Sequence, residues 1–190
     1  VLEIWPDARV SKVGLILKEK ADGSMKSRFV IDLLRSGENG EADITERIVL
    51  PRLHDLSTGI LDLLEYNTAA ENASSDSFIE LLTLDFTDAF YTLHLHPSAQ
   101  GKLAFRTLAG WAVFLRLCFG MAGAPLIWGR VAASACRLAQ ALFKPWEVRI
   151  QCYVDDPAVA ARGSKEQRRR LFAMLIIFWS ILGLQMSFGK

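Results

Sequence analysis

The chain has 190 residues, of which 51% are hydrophobic and 23% are charged, and this composition excludes a disordered chain because it supplies enough apolar surface for a core. The net charge of +1 excludes a protein that is strongly basic or acidic as a whole. The three cysteines, Cys118, Cys136 and Cys152, do not indicate a disulfide scaffold, and they favour reduced thiols that fill the core of an intracellular protein, cytoplasmic or nuclear.

The charge is unevenly distributed along the chain. Residues 1–97 carry 9 Lys and Arg against 17 Asp and Glu, whereas residues 98–190 carry 13 against 4. A basic half is typical of a protein that binds a polyanion, although an unevenly charged, solvated surface explains the same counts. Because residue 1 is not Met and residues 187–190 resemble the middle of an element, we expect a fragment of a longer protein.

The first half of the chain is predicted to begin with a hairpin. Runs 13–17 and 29–33 are β-prone, and the polar link 21–24 between them is typical of a turn. Residues 36–46 are polar and contain glycine, which favours a loop. A helix, a polar break and a strand are then predicted at residues 53–64, 67–77 and 78–86.

The second half is predicted to alternate hairpins and helices. Pro125 suits the first turn of a helix, and Ser164 with Gln167 has the spacing of a capping box. Because hairpins and helices are mixed, we predict an α+β fold. The predicted elements are strands at 102–106 and 113–117, a helix at 125–142, strand arms at 148–153 and 158–161, a helix at 165–182 and a short strand to residue 190.

One stretch resembles a membrane span. Residues 171–189 contain no charged side chain and follow three arginines, as a span and its flank would. Gly183 would end a helix, which leaves an apolar part at 171–182 with the length of a buried core helix. We favour the buried helix and expect no membrane association.

Two acidic sites adjoin hydrophobic runs. Asp85 and Asp88 follow the run 79–84, and Asp155 and Asp156 lie between two apolar arms. Carboxylates at strand ends are costly to bury unless a cation compensates, and hard oxygen ligands suit Mg²⁺. A pair of such ions can promote phosphoryl transfer. Ordinary turn capping explains either site by itself, so the acids alone leave both interpretations open.

Six short motifs stand in a fixed order along residues 12–190. They are Lys-Ala-Asp-Gly with Arg-Phe-Val-Ile-Asp within 20–32, Leu-Pro-Arg-Leu at 50–53, Asp-Phe-Thr-Asp-Ala-Phe at 85–90, Phe-Gly-Met-Ala-Gly-Ala-Pro at 119–125, Tyr-Val-Asp-Asp at 153–156, and Gly-Leu-Gln-Met with a later Lys within 183–190. This series resembles the reverse transcriptases of gypsy-like and related retrotransposons. A single Asp-Asp pair occurs by chance, whereas six motifs in this order are specific.

The resemblance implies an RNA-directed DNA polymerase that joins a dNTP to a primer 3′-hydroxyl on an RNA or DNA template. The implied fold is a palm, an antiparallel sheet backed by helices, with β-rich fingers and no thumb. The thumb, RNase H and other polyprotein domains would lie outside this segment. The implied parts are fingers at 1–80, palm at 81–97, a connecting hairpin at 98–120 and palm at 121–190.

The resemblance also implies the site residues. Asp85, Asp155 and Asp156 would be catalytic, and with the backbone of Phe86 they would hold two Mg²⁺ ions, or Mn²⁺ in their place. Nucleotide binding would involve Lys20, Arg28, Phe86, Thr87, Asp88, Phe90, Gly120 and Lys190.

Several of these residues have separate implied roles. Lys20 and Arg28 would grip the triphosphate, because Arg binds phosphate through two donors and Lys as a point charge, and Lys18 is a rival to Lys20. Phe90 would lie under the sugar as a steric gate against a 2′-hydroxyl. Lys190 would protonate the leaving pyrophosphate.

Template and primer would be held through shape and backbone. Base pairing reads the template, so the protein needs phosphate contacts rather than base contacts. Gly120 would let the main chain approach the nucleic acid or the nucleotide closely. The basic candidates for phosphate contact are Arg106, Arg116, Arg130 and Arg162.

The sequence departs from the family pattern at several positions. Phe119 stands where retroviral enzymes carry glutamine, although gypsy-like elements also use phenylalanine, and Cys118 replaces a common proline. Pro157 follows the acidic pair directly, and proline removes a hydrogen-bond donor from a strand. His94 and His96 have the spacing of a metal pair on one strand face, but no third ligand is near in sequence.

Two alternatives to an active polymerase explain the same residues. A catalytically decayed fragment that keeps the fold and nucleic-acid binding accounts for Pro157 and for the missing thumb. In an unrelated α+β domain, Asp85 and Asp155 would be ordinary turn residues without a catalytic role.

Overall fold

The structure, a computed structural model, describes residues 5–6, 8–19, 23–69 and 78–187, without the side chains of residues 67–69. In these ranges the strands are β1 (Val10–Glu19), β2 (Met25–Asp32), β3 (Phe78–Thr83), β4 (Asp85–Phe86), β5 (Ala104–Thr107), β6 (Gly110–Val113), β7 (Val148–Tyr153), β8 (Asp156–Gly163) and β9 (Met186–Ser187). The helices are α1 (Glu38–Glu41), α2 (Leu53–Ala69), α3 (Pro97–Gln100), α4 (Ala124–Gln140) and α5 (Lys165–Ile181).

The first of two compact units comprises Val1–Arg47 and Phe90–Trp128. Its sheet has the strand order β2-β1-β5-β6. The strands β1 and β2 are antiparallel, with Lys12 opposite Asp32, whereas β1 and β5 are parallel. Since β1 contributes to both pairings, it holds the sheet together. The buried cluster on this unit consists of Ile31, Leu33, Leu103, Phe105 and Cys118.

The second unit comprises Ile48–Ala89 and Gly129–Lys190. It contains an antiparallel sheet of order β3-β8-β7 and the separate antiparallel pair β4-β9. The helices α2 and α5 contact the sheet. Together the two units confirm the predicted α+β class, while the assignment of fingers and palm stays a prediction. The core of the second unit includes Leu63, Val148, Val159, Leu175 and Trp179.

Most predicted elements are present. The antiparallel hairpin near the start is confirmed, although residues 20–22 of its turn lie outside the described residues. The helices predicted at 125–142 and 165–182 are α4 and α5, whose bounds differ by at most two residues. The helix α2 extends beyond the predicted 53–64, and the short helix α1 interrupts the predicted loop 36–46.

The strand predicted at 113–117 was wrong. The hairpin is tighter, since Thr107 pairs with Gly110 and β6 ends at Val113. The side chain of Thr107 accepts a hydrogen bond from Ala109 and donates one to Gly110, which closes the turn. The chain then leaves β5, and Leu115 and Leu117 bond to the main chain of residues 93 and 95.

The strand predicted at 78–86 is broken at Leu84. Residues before the break pair with β8, whereas Asp85 and Phe86 pair with β9. The chain therefore changes partners immediately before its first carboxylate. The predicted last strand is β9, and residues 188–190 lie outside the described residues.

The helix α5 is present where it was predicted, but only one face of it is buried, since Ile177 and Ile181 are exposed. Its N-terminus has the predicted capping box, in which Ser164 accepts from the Gln167 amide and Gln167 accepts from the Ser164 amide. Leu175 and Trp179 are buried, and Gly183 beyond the C-terminus has a φ of +77°. Within the described part of the chain, no helix combines the length and the apolar run that crossing a membrane requires.

The capping box gives a stability prediction. Replacing Ser164 with Ala removes the acceptor for the Gln167 amide, so we expect the free energy of unfolding to fall by about 1 kcal/mol. Ser180→Ala is the matched control, because Ser180 lies on the same helix and bonds only locally to the Ile176 carbonyl. Urea unfolding followed by circular dichroism measures both changes, and equal effects would contradict the capping role.

Candidate active site

The two acidic segments lie side by side. The Phe86 amide donates to the Asp155 carbonyl at 2.8 Å, and the Leu84 amide donates to the Pro157 carbonyl at 3.0 Å. These two bonds flank Asp85, so its backbone runs next to the loop that carries the second acidic pair. Asp85, Asp155 and Asp156 are all partly buried. Two acidic segments that are about 70 positions apart in the sequence thus have adjacent backbones.

The position of Asp85 is fixed by its neighbour. Phe86 is 2% exposed, and its ring meets the ring of Trp179 edge-on at 5.2 Å. Trp179 is fully buried and donates from its indole to the Ala135 carbonyl. Because successive side chains of a strand point to opposite faces, burial of Phe86 directs Asp85 away from this core.

The segment after Asp85 is held by backbone bonds. The Thr87 amide donates to the Gln185 carbonyl at 2.8 Å, and the Phe86 amide is already bonded to Asp155. The Phe86 and Thr87 amides, which belong to the backbone expected to bind the nucleotide, therefore donate within the protein. Asp88, which follows, is exposed and has a φ of +52°, a conformation that is uncommon outside glycine but tolerated by aspartate.

The second acidic pair stands at the tip of a hairpin. Tyr153 pairs with Asp156, which leaves Val154 and Asp155 as a two-residue loop. Val154 has a φ of +59°, where a β-branched residue is strained by about 1–3 kcal/mol. The Cys152 thiol lies 3.5 Å from the Val154 carbonyl and can donate to it. Strain of this kind often accompanies functional sites.

Pro157 is accommodated within β8. It lies opposite Cys152, one step beyond the closing pair of the hairpin. Since alternate pairs of an antiparallel ladder exchange no hydrogen bonds, and a two-residue loop is closed by a bonded pair, this position needs no donor toward β7. On its other side the Pro157 carbonyl accepts from Leu84, where β3 has already ended. Proline therefore removes no hydrogen bond between β7 and β8.

A divalent cation such as Mg²⁺ needs several oxygen donors around it. In the ranges that the structure describes, no three His, Cys, Asp or Glu side chains converge closely enough to hold a metal ion. Mg²⁺ is usually held by one or two carboxylates, with substrate phosphates and water completing its shell. Asp85 and Asp155 supply two carboxylates on adjacent backbone segments, which agrees with that requirement in number and in ligand type.

The two histidines with the spacing of a metal pair make other contacts. His94 forms an isolated antiparallel bridge with Arg116. A ring nitrogen of His96 accepts from the Ser98 amide and so caps α3. Neither arrangement suggests a metal pair.

A second cluster of predicted residues lies in the first unit, around Phe119. The guanidinium carbon of Arg28 lies 5.3 Å from the centroid of the Phe119 ring. The ring of Phe90 is 5.2 Å away and that of Tyr91 is 5.8 Å away. Arg28 and Phe90, which the sequence places more than 60 positions apart, are therefore gathered on one aromatic platform.

The turn after Phe119 depends on Gly120. Its φ is +109°, and a Cβ at this position would lie 1.9 Å from the Ile31 carbonyl oxygen. Ile31 itself donates from its amide to the Phe119 carbonyl at 3.0 Å. Any side chain at residue 120 would therefore push the turn away from β2.

Asn39 is a residue that sequence reasoning missed. Its side-chain amide donates to the Gly120 carbonyl at 2.8 Å, and its oxygen accepts from the Ala122 amide at 2.9 Å. One side chain thus satisfies two backbone groups of the turn. Asn39 stands in the polar segment that was predicted to be a loop, and nothing in its local sequence signals a partner 81 positions away.

Lys20 and Lys190 lie outside the described residues, so their roles stay predictions. Lys18 is exposed on β1, opposite Lys26. The three candidate catalytic aspartates belong to the second unit, whereas Arg28 and Gly120 belong to the first.

Comparison with known proteins adds two findings. Residues 35–190 match a family described as reverse transcriptase (RNA-dependent DNA polymerase). The chain is also 47% identical over 49 residues to the retrovirus-related Pol polyprotein from transposon opus of Drosophila melanogaster. Those residues are 26% of this chain and 5% of that polyprotein, so the chain matches a small part of its relative's length.

The geometry at Gly120 gives a second prediction. In Gly120→Ala the new methyl group meets the Ile31 carbonyl and the residue must keep a positive φ, so we expect a loss of about 2–4 kcal/mol in the free energy of unfolding. Gly123→Ala is the control in the same motif, because a Cβ there meets nothing within 4 Å. Its effect should stay within about 0.5 kcal/mol. Similar losses in the two variants, measured by urea unfolding, would contradict the steric explanation.

Proposed function

Because the chain belongs to the reverse transcriptase (RNA-dependent DNA polymerase) family, we propose that it carries the palm and fingers of a retrotransposon polymerase, with Asp85, Asp155 and Asp156 as catalytic carboxylates. One contact supports this most directly, the 2.8 Å hydrogen bond from the Phe86 amide to the Asp155 carbonyl. It keeps two acidic segments together although their negative charges repel. Such a concentration of charge is costly unless a cation offsets it.

The proposed parts overlap the two units but differ from them in their bounds, because fingers at 1–80 include α2, which belongs to the second unit. The sheet β3-β8-β7 with α5 forms most of the proposed palm, and the sheet β2-β1-β5-β6 forms most of the proposed fingers region and its connecting hairpin. The antiparallel palm sheet and the α+β class support this assignment. A thumb would have to come from residues outside this segment.

The proposed reaction joins a dNTP to the 3′-hydroxyl of a primer. Two Mg²⁺ ions, or Mn²⁺, would supply activation of that hydroxyl and neutralisation of the leaving pyrophosphate. The oxygens of Asp85 and Asp155 would hold both ions, with Asp156 beside them and the Phe86 carbonyl as a further oxygen donor. The buried ring of Phe86 keeps these groups in position.

Arg28 is proposed to grip the triphosphate. Its guanidinium carbon lies 5.3 Å from the centroid of the Phe119 ring, whose face attracts a cation. A guanidinium on an aromatic ring can still present its N–H groups to phosphate oxygens. Lys20 would assist it, and Lys190 would protonate pyrophosphate. The exposed Asp88 would lie beside the triphosphate, following the Phe86 and Thr87 backbone.

Template and primer are the proposed macromolecular partners. The copied sequence is read by base pairing, so the protein would supply phosphate contacts, and the basic second half of the chain supports this. Arg106 is exposed and lies over the Trp111 ring at 5.8 Å. Arg116 and Arg162 donate to main-chain carbonyls of Tyr91 and Leu63, which makes Arg106 the better candidate of the three.

Primer extension on an RNA template with dNTPs and Mg²⁺ tests the catalytic assignment. We expect the Asp155→Asn/Asp156→Asn double variant to extend at least about 10²-fold more slowly, since it removes the charge that holds the ions. Removal of the metal by EDTA should abolish extension, and excess Mg²⁺ or Mn²⁺ should restore it. Asp43→Asn is the control, because Asp43 is an exposed acid in the other unit.

The outcomes separate the two functions under consideration. Undiminished extension by the double variant would sink the catalytic assignment. If the unaltered chain binds template and primer but does not extend, the decayed-fragment alternative is favoured. Pro157→Leu is then the next variant, although the position of Pro157 in β8 gives no reason for it to inactivate the site.

Phe90 gives a separate prediction about sugar selection. A ring against C2′ of the nucleotide leaves no room for a 2′-hydroxyl, so Phe90→Val should raise the ratio of ribonucleotide to deoxyribonucleotide incorporation by about 10-fold or more. Tyr91→Phe is the control, because it keeps the neighbouring aromatic ring and removes the hydroxyl that donates to the Phe29 carbonyl. Equal losses for both nucleotides in Phe90→Val would mean that Phe90 serves only to pack on Phe119.

A further inference from the structure

Two cysteines of the second unit face each other close to the acidic loop. Cys136 lies on α4 and Cys152 on β7. Gln140, one helical turn after Cys136, ties the same two elements together. Its side chain donates to the Val148 carbonyl at 2.9 Å and accepts from the Ile150 amide at 3.0 Å.

The spacing of the two elements explains why the thiols meet. Four residues along a helix cover about 6 Å, and two residues along a strand cover about 7 Å. The distance along α4 from Gln140 to Cys136 is therefore close to the distance along β7 from Ile150 to Cys152. The two thiols are in side-chain hydrogen-bond contact with each other.

The two thiols differ chemically. The hydrogen bond from Cys152 lowers the pKa of Cys136, which favours its thiolate. The same hydrogen bond raises the pKa of Cys152, as do burial and the negative charges of Asp155 and Asp156. Because Cys152 has one thiol proton, it donates either to Cys136 or to the Val154 carbonyl. The thiolate is the form that attacks an oxidant, which makes Cys136 the nucleophile of the pair.

We propose that Cys136 and Cys152 form a reversible disulfide that displaces the acidic loop and switches the site off. The Cys136 thiolate attacks a peroxide oxygen, the O–O bond breaks, and the hydroxide that leaves takes up a proton. The Cys152 sulfur then displaces hydroxide from the sulfenic acid as its own proton is lost. In total, two thiols are oxidised to one disulfide while one hydrogen peroxide is reduced to two waters.

The displacement follows from bond lengths. A disulfide brings its sulfurs to about 2.05 Å, much closer than a hydrogen-bonded thiol pair. We expect bond formation to draw the end of β7 toward α4, and the Cys152 sulfur, having lost its proton, can no longer donate to the Val154 carbonyl. Val154 is already strained, and Asp155 follows it directly. A shift of about 1 Å in a reacting group is enough to cost about 10²-fold in rate.

Peptide mapping tests the bond itself. The folded chain is treated with hydrogen peroxide, free thiols are alkylated, and the digest is analysed without reduction. We expect a peptide pair linked through Cys136 and Cys152 that disappears after dithiothreitol. Cys118 supplies the comparison, because both it and Cys136 are buried, but burial raises the pKa of Cys118 to about 12 whereas the hydrogen bond from Cys152 lowers that of Cys136. Absence of the linked pair, or oxidation to separate sulfinic acids, would overturn the proposal.

Loop displacement and activity are measured on the same samples. Oxidation should change hydrogen exchange at residues 153–156 and lower primer extension at least 10-fold, and dithiothreitol should reverse both. Cys136→Ser should resist both effects, whereas Cys118→Ser should respond as the unaltered chain does. If Cys136→Ser does not fold, Cys152→Ser serves the same purpose.

Only the predicted loss of primer extension rests on the proposed function, whereas the disulfide and the loop displacement are tested without it. Failure of the switch can therefore be told apart from failure of the proposed function. A linked peptide pair with unchanged exchange at residues 153–156 overturns the switch. A linked peptide pair with altered exchange at residues 153–156 supports the switch, whether or not the chain extends a primer. Failure of the reduced chain to extend a primer counts against the polymerase assignment alone.

Discussion

The candidate active site depends on one backbone hydrogen bond, from the Phe86 amide to the Asp155 carbonyl. Neither partner is a side chain, so the contact does not depend on which residues occupy the two positions. What does depend on the residues is the anchoring of Phe86 against Trp179, which prevents β4 from rotating. The packing of Phe86 on Trp179 fixes the orientation of β4. That orientation places the buried ring on one side of the strand and the Asp85 carboxylate on the other.

A similar logic governs the Phe119 turn in the first unit. Gly120 lets the backbone come within reach of Ile31, and Asn39 satisfies the polar groups that the turn leaves open. The exposed Arg28 then rests on an aromatic ring whose backbone is fixed. In both units, a rigid main chain carries the charged groups proposed to meet substrate, which is the arrangement that a preorganised site requires.

The sequence predicted best where local signals are strong. The capping box at Ser164 and the acids at the tip of the β7-β8 hairpin follow from residues close in sequence, and both are present. The sequence predicted the structure poorly where contacts between residues far apart in the chain determine it. The strand at 113–117 was wrong because Leu115 and Leu117 find main-chain partners near residue 94. The role of Asn39 was missed since its partners lie more than 80 positions away.

The break at Leu84 sets different tolerances for change along one short stretch of chain. The strand β3 is registered against β8 and β4 against β9, with a single residue between them. Inserting or deleting one residue there would turn Asp85 toward the core and Phe86 toward the outside, because side chains alternate along a strand. Surface positions such as Leu81 can vary in chemistry without that penalty. Across lineages of this segment, the stretch should therefore drift in composition while its length stays fixed.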